Sequence, residues 1–139
     1  MIRLFSALPF LVALATPAVA ANLTVEVEGV RATGGTLYVT VQDREQFMQQ
    51  RGTAGTVVQR PQAGAHRFGF DVPPGEYAVS IWHDDNGNGQ FDKDESHQPL
   101  DGWSMTSGET LRAEPTFDQV KTSVGTGPAA LRLSMIYGR

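Results

Sequence analysis

An all-β fold, an antiparallel β-sandwich of about seven strands, is predicted by short runs of period-two apolar alternation set between glycine- and proline-rich turns. The chain has 139 residues, 40% of them apolar and 19% charged, which suits one globular domain with a single core. A domain of this size buries roughly two-thirds of the surface its unfolded chain exposes, so it folds without disulfides. The chain has no cysteine.

The first twenty residues, "MIRLFSALPFLVALATPAVA", are set apart from the domain. Arg3 gives a basic start, Leu4 to Ala15 an apolar stretch, and Ala18 and Ala20 the small residues a signal peptidase requires. A cleaved leader over residues 1–20 is therefore expected, with the mature domain spanning 21–139 and lying in the periplasm or outside the cell. A membrane anchor needs about 20 apolar residues; Pro9, Thr16 and Pro17 interrupt this run. After cleavage no stable membrane insertion is expected.

Two strands open the mature chain. "LTVEVEGV" sends Leu23, Val25 and Val27 to one face and Thr24, Glu26 and Glu28 to the other, the pattern of a half-buried strand. Beyond the turn "RATGG", "GTLYVTVQ" aligns Leu37, Val39 and Val41, and the two runs read as a hairpin. Next, "DREQFMQQ" predicts one or two helical turns, with Asp43 capping the first amides. Weaker strands follow at "GTVVQ" and "AHRFGFDV".

Pro73, Pro74 and Gly75 then make a turn into "EYAVSIWH". Tyr77, Val79 and Ile81 alternate there with Ala78, Ser80 and Trp82, so both faces are largely apolar, as in a central strand. Residues 96–116 have no clear period, and a connection of that length more often serves function than mere linkage. "FDQVKTSVG" and "AALRLSMIY" close the sheets, with Leu131, Leu133 and Met135 as the last inward row.

The formal net charge is −4, and loss of Arg3 with the leader makes it −5. Asp84 to Glu95 alone carries five acids against Lys93, a net of −4, so the remainder is close to neutral. A surface that tracks phosphates, and hence nucleic acid as a partner, is excluded.

That acidic segment, "DDNGNGQFDKDE", satisfies the calcium-loop spacing D-x-[DN]-x-[DN]-G-x5-E through Asp84, Asn86, Asn88, Gly89 and Glu95, with Asp92 at the ninth place. Calcium is a hard cation that takes about six to eight oxygens. Asp84, Asn86, Asn88, the carbonyl of Gln90, Asp92 and both oxygens of Glu95 would supply them. Gly89 permits the positive φ of the sharp turn, and Phe91 is expected to anchor the loop inward. A strand rather than a helix enters the loop, and Pro99 blocks a long exiting helix, so the domain is not an EF-hand. The competing account is a metal-free turn, because Asn, Asp and Gly are the usual turn formers; against it, crowded carboxylates repel one another unless a cation screens them.

Other chemistries find less support. His83 and His97 flank the loop, but imidazole sites usually need more fixed ligands at defined spacing. Asp92 and Glu95 are a carboxylate pair of the kind glycosidases use, yet a small sandwich without an evident deep cleft is a poor host. No nucleophile elbow is present. Trp82 and Trp103 are expected to pack into the core and to be partly buried, respectively, rather than to form a sugar platform.

The combination "PPGEYAVSIWHDDNGNGQFD", "PLDGWSMTS" and "EPTFDQVKTSV" followed by an apolar strand resembles the bacterial exported proteins of domain-of-unknown-function family 2141. The family's H-D-x-N-x-N-G-x-x-D core falls on His83, Asp84, Asn86, Asn88, Gly89 and Asp92. Its later P-x-E-G-[aromatic] element falls on Pro99, Asp101, Gly102 and Trp103, with Asp in place of Glu; Ser104, Met105 and Thr106 stand where the family has Gly, Phe, Ser. The resemblance implies a transthyretin-like or immunoglobulin-like sandwich and no established activity. Two functions of different class remain expected: a non-enzymatic, calcium-stabilised module that binds an unidentified protein or envelope ligand, or a small metal-dependent hydrolase using the acidic loop and its flanking histidines.

Overall fold

A computed structural model describes residues 22–138; the expected leader and the Ala20/Ala21 cleavage site lie outside them. The strands are β1 (Leu23–Val30), β2 (Thr36–Gln42), β3 (Ala54–Gln59), β4 (Gly64–Phe70), β5 (Gly75–Asp84), β6 (Gly102–Met105), β7 (Lys121–Val124) and β8 (Ala129–Ser134), with one short helix, α1 (Phe117–Val120). They form two layers. One sheet has the order β4-β1-β8; the other runs β3-β2-β5-β6, with β7 also paired to β5. β5 is long enough to hold β7 along Gly75–Ala78 and β6 along Ser80–His83. It is the central strand that its two apolar faces predict.

The expected inward rows meet between the sheets. Leu23, Val25 and Val27 of β1 face Leu37, Val39 and Val41 of β2 and Tyr77, Val79 and Ile81 of β5, all buried in one cluster with Leu133. Each such side chain contributes about 1.5–3 kcal/mol relative to exposure. Leu131 and Met135 pack against this cluster as partly buried neighbours. Val30 is also buried, although it lies three positions beyond Val27, where alternation would turn it outward. The β1–β4 register shifts between these two residues, and Gly29 sits there at φ 74; the bulge turns Val30 back to the inner face.

Four local expectations change. The first two runs do not pair as a hairpin: β1 lies in one sheet and β2 in the other, so the turn between them bridges the layers and their apolar rows meet across the core. β8 runs parallel to β1, so the sandwich is not wholly antiparallel. The chain crosses from β7 in one sheet to β8 in the other, and a crossover, unlike a tight hairpin, leaves strand direction free. Over Asp43–Gln50 the capping contacts form without a helix: Asp43 Oδ1 accepts the Gln46 N–H at 2.9 Å, and Gln46 Oε1 accepts the Asp43 N–H at 3.1 Å. The buried Gln42 amide donates to the carbonyls of Gln46, Gln49 and Arg51, and Met48 adopts φ 63, so the turn curls around Gln42 instead of propagating. Finally, Phe117–Val120 is helical, and the strand begins only at Lys121. Phe117 and Val120, three apart on a helical face, cover the buried Ala78 on the outer side of β5 and make a second small core.

Ion pairs brace this second core. Arg44 Nη2 lies 2.6 Å from Asp118 Oδ1, and Lys121 Nζ lies 2.6 Å from Glu76 and 3.3 Å from Asp118. Arg44, then Lys121, holds the Asp118 carboxyl down to about 2. A carboxyl depressed on folding stabilises above its ordinary range near about 3.9 and loses that contribution as pH falls through its folded value. The melting-point advantage of the wild type over Asp118→Asn is therefore expected to be full above about pH 4 and to vanish toward pH 2. Because these groups are exposed, added salt should shrink it. Thermal melts across that range check this, and a pH-independent difference would contradict it.

Among the described residues, no helix is long and apolar enough to cross a membrane.

Candidate functional site

The acidic loop leaves the end of β5 between two fixed points. The first is His83, fully buried on the inner face. Its Nε2 lies 2.8 Å from the Gly34 carbonyl, which can only accept, so Nε2 carries the proton. Nδ1 hydrogen-bonds the Tyr137 hydroxyl at 2.8 Å, and that same oxygen accepts the Arg31 backbone N–H at 2.9 Å. His83 thus ties the β1–β2 turn to the end of the chain. With both ring nitrogens engaged, it has no lone pair to offer a metal.

The second fixed point is Asp101, 1% exposed. Its Oδ2 accepts the Trp82 indole N–H at 2.9 Å and the Asp92 backbone N–H at 3.2 Å. Burial pushes its carboxyl above the usual range, opposed by those two donors. Trp82 stacks on Tyr38, with ring centroids 4.7 Å apart, on the outer face of the sheet. It packs there, half-buried, rather than in the inter-sheet core.

Between these points the loop folds on itself. Asp84 is 2% exposed; its Oδ2 accepts the Gly89 N–H at 2.8 Å, and its buried Oδ1 has no partner. Gly87 and Gly89 take φ values of 69 and 73, which glycine adopts without steric cost. The Asn86 side-chain oxygen accepts the Asn88 N–H, and that of Asn88 accepts the Gln90 N–H. Both amide nitrogens turn to Asp92: Asn86 Nδ2 donates to Oδ2 at 2.8 Å, and Asn88 Nδ2 reaches Oδ1 at 2.9 Å and Oδ2 at 2.8 Å. These donors, Asn88 first, hold the Asp92 carboxyl below its ordinary range.

The structure thus joins Asp84, Asn86, Asn88 and Asp92 in one hydrogen-bonded loop, with the Gln90 amide closing a turn. It does not bring Glu95 to them. Glu95 is exposed on a separate turn built by Asp94, whose Oδ1 accepts the N–H groups of Ser96 and Gln98 at 2.8 and 2.9 Å. Among the described residues no three His, Asp or Glu side chains form a metal-holding cluster. Phe91 does not anchor the loop inward: it is 41% exposed and meets Trp82 edge-on at 6.3 Å. His97, at φ 62, is exposed on the same outer turn as Glu95.

The later sequence element acquires a physical role here. Asp101 holds Trp82 and the returning loop, and Gly102 leaves room for the Tyr137 ring, which a β-carbon at that position would overlap. The Tyr137 contact carried no sequence signal, since its partner His83 is 54 residues away.

No curated protein and no solved structure matches this chain. The family model described as "Uncharacterized protein conserved in bacteria (DUF2141)" matches residues 25–131, and the chain belongs to that family.

Proposed function

We propose that this protein is an exported, non-enzymatic module of the periplasm or cell envelope whose acidic loop takes calcium. One observation carries the reading: Asp84 Oδ1 is buried and has no donor. A buried acceptor left unpaired costs about 1–3 kcal/mol, more when charged. A cation in the loop removes that cost and screens Asp84 from Asp92. Asp84, Asn86, Asn88, the Gln90 carbonyl and Asp92 are the donor set, once the Asn86 and Asn88 amides rotate to present oxygen in place of nitrogen. Glu95, on its outer turn, joins only if that turn swings inward. A site with so few fixed ligands is weak, in the range of about 10⁻⁴ to 10⁻³ M found for extracellular modules.

The hydrolase alternative draws less support, because it relies on His83, whose imidazole is consumed by Gly34 and Tyr137.

Calcium at about one hundred times its dissociation constant stabilises a folded state by roughly 2.7 kcal/mol, here a melting rise on the order of ten degrees. Magnesium should do much less, since it requires near-octahedral geometry and keeps its waters. Asp84→Asn should abolish the calcium shift; Glu95→Gln should reduce it only in part. A wild-type melting temperature unmoved by millimolar calcium would leave the metal-free turn as the better account.

A further inference from the structure

The outer arm of the acidic loop and the segment following β6 enclose a groove of about 560 Å³. Trp103 and Met105 of β6 line it together with Leu111 and Phe91. Of the large apolar side chains left exposed, Met48, Val57, Phe91 and Leu100, two, Met48 and Phe91, border this groove. Its volume lies within the roughly 300–1,000 Å³ of small-molecule sites.

Charge selects the occupant. The chain is acidic overall, yet Lys93 and Arg112 both line the groove, and neither has an ion-pair partner among the described residues. Both are held in position: Lys93 Nζ lies 5.8 Å from the centre of the Phe91 ring, and Arg112 Nη1 donates to the carbonyls of Glu109 and Leu111 at 3.0 Å. The Lys93 ammonium beside the Phe91 ring disfavours a cationic ligand there by like-charge repulsion. Glu114 offsets one of the two charges, and His97 also borders the groove. An apolar floor under a net single positive charge fits a monoanion on an apolar body.

We propose that this groove binds an amphipathic monocarboxylate, its hydrocarbon or aromatic part against Trp103, Met105 and Leu111 and its carboxylate between Lys93 and Arg112. The proposal does not require calcium, because Trp103, Met105 and Leu111 of its floor belong to β6 and the segment after it, although Lys93 directly follows Asp92 of the acidic loop.

Three probes with one ring system separate charge from apolar burial: 2-naphthaleneacetate, its neutral amide, and 2-naphthylmethylamine. Each is titrated into ¹⁵N-labelled protein, once in chelator and once in calcium, while the indole resonances are followed. The acetate should bind at about 1 mM or tighter and shift the Trp103 indole more than that of Trp82. The amide should bind about tenfold more weakly and the amine more weakly still. Lys93→Gln and Arg112→Gln should each weaken the acetate about fivefold to tenfold while leaving the amide unchanged. Equal binding of the three probes, or no Trp103 response to the acetate in either condition, would overturn the proposal. A calcium-free protein that still binds the acetate supports it even where the calcium site fails.

Discussion

His83→Ala should destabilise the domain by about 3 kcal/mol or more, because it strands two partly buried partners and opens a cavity where the fully buried ring sat. The Gly34 carbonyl and the Tyr137 hydroxyl both lose the ring that joins them. A fall in melting temperature on the order of ten degrees follows for a domain of this size. Tyr137→Phe removes only the hydroxyl and should cost about 1 kcal/mol. If the three groups act as one latch, the double variant will cost less than the sum of the single ones, by about 1 kcal/mol. Urea unfolding of the four proteins measures this coupling, and strict additivity would show that His83 acts through packing alone.

Gly35→Ala should cost about 2–4 kcal/mol, against about 1 kcal/mol for Gly34→Ala. Both glycines hold positive φ, 90 at Gly34 and 68 at Gly35. Only Gly35 is crowded: a β-carbon there would run into the Asp84 carbonyl and the Cα of Asp85, whereas Gly34 faces open space. The close approach seats the β1–β2 turn under the start of the acidic loop, so Gly35→Ala displaces Asp84 as well as straining the turn. Urea midpoints for the two variants test the difference; equal losses would mean that the left-handed backbone, not the contact with Asp84, sets the cost.

The fold was legible wherever one face of a strand is apolar over several residues. Leu23, Val25 and Val27, then Leu37, Val39 and Val41, take the inner positions that their alternation predicts. β6 escaped because its four residues are too few to display a period. Phe117–Val120 was expected to extend a strand, but Phe117 and Val120 find their apolar surface through helical spacing over Ala78. The parallel pairing of β8 depends on a crossover between sheets, which no local pattern encodes.

The loop was legible as a motif and less so as a geometry. Its spacing located Asp84, Asn86, Asn88 and Asp92, whose hydrogen bonds are short in sequence. Glu95 was assigned by the same spacing, yet the Asp94 turn carries it away. Asp101 and Tyr137 were unreadable as supports because they reach Trp82 and His83 across 19 and 54 residues. Family resemblance marked Asp101 without giving it a task; burial and two donors give it one.

Calorimetric titration of calcium into chelator-stripped protein, with Asp84→Asn in parallel, tests the calcium loop most directly. The wild type should bind one ion per chain with a dissociation constant of about 10⁻⁴ to 10⁻³ M, and Asp84→Asn should give only heat of dilution. No binding by the wild type, or equal binding by both proteins, would contradict a calcium site built on the unpaired Asp84 oxygen.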